Sequence, residues 1–193
     1  ADTLKKYQAQ EEKIRGLSAT LVSIKELPAQ TLDGKRVILS ANIEFPEEIP
    51  SVLQHGADGI GLYRTEYFYM NRRDLPTEDE QYEAYRHLAE SFGKKHVIVR
   101  TLDLGGDKFI SQFNLPKEMS PFMGWRAIRF CLARPDVFKT QLRAILRASA
   151  HGNLMIMFPM ISGVEELRRA KVMLQESKEE LKSRGAAYNA DID

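Results

Sequence analysis

Apolar and polar positions fall in blocks along the chain, and the blocks switch between two periods. From residue 37 onward this rhythm predicts strands over 37–43, 58–62, 96–100 and 154–158. Between and after them it predicts helices over 46–55, 78–92, across 124–150 and over 163–184. The strand segments are continuous apolar runs, such as Val37-Ile38-Leu39, Val97-Ile98-Val99 and Leu154-Met155-Ile156-Met157-Phe158. Runs without polar alternation fit strands buried on both faces of a parallel sheet. The helices are amphipathic instead: Val164, Leu167, Val172, Leu174 and Leu181 interrupt a charged sequence that stops at Gly185. Ahead of all this, Leu4, Tyr7, Ile14, Leu17, Leu21 and Ile24 recur at heptad-like spacing among Lys, Gln and Glu, predicting a solvent-exposed connecting helix over 1–26. Leu32-Asp33-Gly34-Lys35 then marks a turn.

Four strand–helix units leave two architectures, an open doubly wound sheet or half of an eight-stranded βα barrel. Polar residues gather at the C-terminal strand ends: Asn42, Tyr63-Arg64-Thr65-Glu66, Arg100-Thr101-Leu102-Asp103 and Pro159-Met160. In a barrel those ends form the active face. Composition adds mainly exclusions. The 193 residues carry 28 Lys plus Arg against 27 Asp plus Glu, so a net charge of +1 supplies no general field for nucleic acid. Anions must then be recognised by a few placed groups. No apolar run approaches the roughly 20 residues of a membrane-spanning helix. The single cysteine, Cys131, cannot form an internal bridge, which fits a reducing cytosol.

Candidate chemistry centres on Arg64 and Arg100, each directly following a strand, so that both emerge at one edge of neighbouring parallel strands. The planar guanidinium fork matches phosphate and carboxylate oxygens two at a time, and a converging pair suits a small, multiply charged anion. The competing reading pairs each arginine with Glu66 or Asp103 as structural bridges at the rim. Asp103-Leu104-Gly105-Gly106-Asp107-Lys108 follows, with glycines that let backbone N–H groups approach a phosphate, Lys108 to add charge and aspartates to orient the arginines. A longer crossing, through Asn114–Glu118 and Pro121–Arg129, reads as a binding loop that brings Arg126 back over the site, or as packing around Phe122 and Trp125 with Arg126 solvated. His55, His87, His96 and His151 are scattered without metal-ligand spacing, and Cys131 sits in an apolar helix segment as a small hydrophobe.

Gly56-Ala57-Asp58-Gly59-Ile60-Gly61-Leu62-Tyr63-Arg64-Thr65-Glu66, Pro76-Thr77-Glu78 with Gln81, and Arg100 to Lys108 together resemble the enzyme I family of the bacterial phosphoenolpyruvate:sugar phosphotransferase system. Asn114-Leu115-Pro116-Lys117-Glu118, Gly124 to Arg129, Gln141 to Ala150 and Ile156 to Ile161 extend the resemblance in unbroken order over about residues 30–185. It implies the first half of a phosphoenolpyruvate-binding (β/α)8 barrel over 29–193, about four βα units, behind a helical linker over 1–28. Arg64, Arg100 and Arg126 would then bind phosphoenolpyruvate, supported by Asp103 and Lys108. The resemblance further implies Mg2+, dimerisation, a cytoplasmic location and phosphoryl transfer to a His of an N-terminal domain, then to the histidine phosphocarrier protein. The metal-binding Glu and Asp and a proton-donating Cys would lie beyond residue 193, so Cys131 does not inherit that role, and the fragment alone would be inactive. Two rivals stand beside this reading: a barrel of the pyruvate phosphate dikinase or phosphoenolpyruvate synthase kind, and a non-catalytic half-barrel that dimerises through exposed strand edges.

Overall fold

Helix α1 (Asp2–Ile24) precedes four strands, each followed by helix. They are β1 (Ser40–Ile43), α2 (Ile49–Gln54), β2 (Gly59–Tyr63), α3 (Glu78–Phe92), β3 (Val97–Arg100), α4 (Ala127–Ala133), α5 (Pro135–Ala148), β4 (Leu154–Met157) and α6 (Val164–Ser183). The computed structural model describes residues 2–25, 27–70, 72, 74–104 and 124–192. The segment 105–123, with Lys108 and the expected binding loop up to Met123, lies outside the described residues.

All four strands are parallel, in the order β1-β2-β3-β4. That order decides between the two architectures. A doubly wound sheet reverses its strand order at a switch point, whereas a barrel lays each strand beside its predecessor with its helices on one side. The sheet does not close, so the fold is an α/β half-barrel. Gly59 enables a close approach at the start of β2: a Cβ there would come within 2.4 Å of the His96 carbonyl oxygen on the neighbouring strand's entry.

Local chemistry accounts for the helix starts. Thr77 caps α3, its hydroxyl accepting the Glu80 N–H at 3.2 Å while the Glu80 carboxylate accepts the Thr77 N–H at 2.7 Å. Residues 124–150 hold two helices because Arg134 leaves helical geometry (φ −125°, ψ 72°) and Pro135 restarts the chain at the first position of α5. Helix α5 buries Val137, Phe138, Leu142, Ala144, Ile145 and Ala148 against α3 and the sheet, and α6 packs on α5. The core centres on Tyr63, Tyr85, Phe130, Phe138 and Leu142, all fully shielded from solvent.

Two expectations need correction. The first strand begins at Ser40, and Val37, Ile38 and Leu39 are 43%, 65% and 60% exposed. The backbone of Leu39 is tied to Asp58 instead: its N–H donates to Asp58 Oδ2 at 2.8 Å, and its carbonyl accepts the Asp58 N–H at 2.8 Å. The strands are also not buried on both faces. Val97 and Val99 are completely covered while Ile98 and Arg100 between them are half-buried. The register pairs Ile98 with Met155 and Arg100 with Met157, so these share the less covered face. Val97 and Val99 belong to the core shared with α3 and α5, and Ile98 does not. Helix α1 is solvent-exposed as expected: Leu4, Tyr7, Ile14, Leu17, Leu21 and Ile24 are all exposed.

Candidate functional site

Tyr63 of β2 pairs with Val99 of β3, and Arg64 and Arg100 each stand one residue beyond that pair. Both expected arginines therefore leave the sheet at the same edge, the C-terminal one. Their environments differ. Arg64 is exposed; its backbone N–H donates to the Ile43 carbonyl at 2.9 Å, but its side chain makes no hydrogen bond or ion pair among the described residues. Its charge reaches Glu48, whose carboxyl is held below the usual carboxylate range chiefly by the N–H groups of Phe45 and Glu44.

Arg100 is committed on both sides. Its Nη2 donates to Glu66 Oε1, and its Nη1 lies 3.2 Å from Asp103 Oδ2. Glu66 opens a 3-10 turn, Glu66–Tyr69, that begins three residues after the end of β2 and brings the carboxylate to Arg100. Arg100 thus makes both of the pairings that the bridge reading named, to Glu66 and to Asp103. Asp103 also holds Arg126, with Arg126 Nε and Nη2 donating to Asp103 Oδ1 at 3.1 and 2.9 Å. A third bond from Arg126 Nη2 reaches the Asp103 carbonyl at 3.2 Å. Arg126 thus returns to the end of β3 and is not solvated apart from it.

The backbone is bent to achieve this. Ala127, fully buried directly after Arg126, has φ 52°, a left-handed conformation that an alanine adopts only under constraint. The result is a chain of charges, Glu66–Arg100–Asp103–Arg126, with side chains only 11%, 18%, 13% and 24% exposed. Two acids and two arginines cancel, so with Arg64 these five groups sum to one positive charge, which Glu48 partly faces.

This chain is not fully satisfied. Glu66 Oε2 and Arg100 Nε are both out of solvent, yet neither has a hydrogen-bond partner. An unmet buried polar atom costs about 1–3 kcal/mol, which a small ion or water seated there would recover. Chemically, the edge can bind an anion through preset guanidinium groups, and it offers no nucleophile of its own. Cys131 cannot serve: it is fully buried, its thiol 3.9 Å from the Leu102 carbonyl, and burial pushes its ionisation far up. Nor do these residues fit a magnesium ion. Glu66 and Asp103 are engaged by arginines, and no group of three or more His, Cys, Asp or Glu among the described residues is placed to hold a metal.

Two clefts of about 290 and 300 Å³ lie elsewhere, one beside β1 and α2 at Asn42, Glu48 and His55, the other between α5 and α6 at Lys139, Arg168 and Glu176. Neither is lined by Arg64, Arg100 or Arg126. What sequence reasoning missed is the support beneath the site, namely Thr65, Gln141, Tyr85, Gln81 and Tyr69, which form one buried hydrogen-bonded set. A signal was available: Gln141 occupies a position on the apolar stripe of α5, between Phe138 and Leu142, where an amide needs a reason.

Known proteins are similar over the whole chain. The family described as PEP-utilising enzyme, PEP-binding domain matches residues 18–193. A phosphoenolpyruvate-protein phosphotransferase of Staphylococcus aureus is 50% identical over 192 residues, which is 100% of this chain and 34% of that protein. Proteins of the same name from Bacillus subtilis (strain 168) and Staphylococcus carnosus (strain TM300) are 48% identical over 193 residues and 46% identical over 192, again across 100% of this chain and 34% of theirs. The chain thus spans about a third of the length of the curated relatives it matches.

Proposed function

This chain belongs to the PEP-utilising enzymes, within their PEP-binding domain, and from that membership we propose that it is the first half of the phosphoenolpyruvate-binding barrel of a phosphoenolpyruvate-protein phosphotransferase. Residues 1–28 are its helical linker and 29–193 the half-barrel. Arg64, Arg100 and Arg126 bind phosphoenolpyruvate, with Asp103 holding two of them in place. Lys108 supports the same phosphate. The observation that carries this is the positive strand edge: an uncommitted Arg64 beside Arg100 and Arg126, both clamped by Asp103. Of the readings weighed, the names of the relatives favour the phosphotransferase over the dikinase or synthase barrel.

In the complete protein the arginines hold the phosphoryl group and neutralise charge as it leaves the enol oxygen. That electrostatic task needs no barrel nucleophile. The acceptor is a His of an N-terminal domain, and the next acceptor is the histidine phosphocarrier protein. Magnesium ligands, dimerisation and a cytoplasmic setting belong to the same proposal, the ligands being placed outside this chain. Among the described residues no helix is long and apolar enough to cross a membrane.

By itself the chain is expected to transfer no phosphoryl group and to bind phosphoenolpyruvate weakly, since the described residues hold no metal cluster. Titration calorimetry of the chain with phosphoenolpyruvate, with and without Mg2+, checks this. Little or no heat is expected, and metal-dependent micromolar binding would reverse it. Phosphoenolpyruvate-dependent phosphorylation of a His in the full-length protein tests the larger reading.

A further inference from the structure

We propose that Gln141 is a positioning residue for the anion site, a buried strut that sets the spacing between the strand ends carrying Arg64 and Arg100. The inference rests on the reading of that edge as a phosphoenolpyruvate site. Gln141 lies on α5, in the helix layer behind the sheet, and is 1% exposed. Its Oε1 accepts the N–H of Leu102 at 2.9 Å, and its Nε2 donates to Thr65 Oγ1 at 3.1 Å and to the Tyr85 hydroxyl at 3.2 Å. Thr65 in turn donates from Oγ1 to the carbonyl of Arg100 at 3.0 Å.

The placement of these contacts is what matters. Leu102 lies between Arg100 and Asp103, and Thr65 lies between Arg64 and Glu66. One amide therefore grips the backbone beyond β3 and the side chain beyond β2, and the Thr65 link closes the loop back to Arg100 itself. Its acceptor and both amide hydrogens are used. Past the Tyr63–Val99 pair the backbone bonds of these two segments run outward, Arg64 N–H to Ile43 and Thr101 N–H to Met157, and none joins one segment to the other, so the sheet itself does not fix how far apart they stand. A rigid planar amide supported by Tyr85 does so from behind, without touching the anion.

The network offers an internal control. Gln81 is the same residue type, also 1% exposed, and hydrogen-bonds Tyr85, Tyr69 and the Pro76 and Thr77 carbonyls, but touches neither strand end. A merely structural role for Gln141 makes the two residues equivalent; a positioning role separates them.

The test compares Gln141→Leu with Gln81→Leu in the full-length protein, measuring phosphoenolpyruvate affinity by calorimetry in the presence of Mg2+. Both variants are expected to lose stability alike. Gln141→Leu should bind phosphoenolpyruvate about tenfold more weakly, as loss of one or two net hydrogen bonds from a site's support would give, while Gln81→Leu binds as the parent does. Equal affinities in the two variants overturn the proposal. Where Gln141→Leu does not fold, Thr65→Val replaces it: the isosteric change removes the Gln141–Thr65 and Thr65–Arg100 links and leaves the Gln141–Leu102 bond, so an intermediate loss of affinity is expected, and parental affinity overturns the strut. Should the parent protein itself bind no phosphoenolpyruvate, the reading of the site fails, and amide hydrogen exchange decides the strut separately. Faster exchange over 64–66 and 100–103 in Gln141→Leu than in Gln81→Leu supports it; indistinguishable exchange ends it.

Discussion

Replacing Arg100 by Met is expected to cost this chain about 3–5 kcal/mol of stability, the penalty for breaking a buried ion pair from one side. The variant leaves Glu66 without a cationic partner and Asp103 with Arg126 alone, both carboxylates nearly shielded from water. Urea unfolding measures the loss. Adding Glu66→Gln to the same variant should restore much of it, because an amide is far cheaper to bury than a lone carboxylate. It should restore none of the phosphoenolpyruvate binding in the full-length protein, since the guanidinium is still missing. Recovery of binding together with stability would show that Arg100 only holds Glu66 in place and does not meet the anion.

Arg64→Ala should behave in the opposite way. The side chain is exposed and makes no ion pair or hydrogen bond among the described residues, so unfolding should shift by no more than about 0.5 kcal/mol. Affinity for phosphoenolpyruvate in the full-length protein should fall roughly 10- to 150-fold, the equivalent of one charged hydrogen bond of about 1.5–3 kcal/mol. Arg64→Lys keeps the charge without the fork and should recover only part of the loss. Undiminished affinity in Arg64→Ala would remove Arg64 from the site and leave its charge to act on Glu48 alone.

The contrast between these two arginines was only half legible in the sequence. Strand ends are easy to place, because a buried parallel strand is an apolar run and its first charged residue marks the edge; Arg64 and Arg100 both stand where that rule puts them. Which of them is already partnered depends on a 3-10 turn that brings Glu66 to Arg100, and no periodic pattern announces such a turn. The pairing of Asp103 with Arg126 crosses a connection of more than twenty residues, so spacing said nothing about it. Val37-Ile38-Leu39 misled for a related reason. An apolar run carries strand propensity wherever it lies, but only pairing makes a strand, and here Asp58 binds the Leu39 backbone first. The expectation of two-sided burial erred because it assumed a second covering layer, whereas the strict alternation of Val97, Ile98, Val99 and Arg100 in exposure reports one. Gln141 and Gln81 were hardest to see, since polar residues at buried positions look like noise in a hydrophobic pattern until their partners are known.

The sealed thiol of Cys131 has a practical consequence. As the chain's single cysteine, packed under the Leu102 carbonyl, it can meet an aromatic disulfide reagent only after the core around α4 has opened. Its modification rate, set against that of the urea-unfolded chain, is thus a built-in clock for how often the folded molecule comes apart. Made in this chain, the variants discussed above can be timed by it with no added label, and with no need for an assay of function.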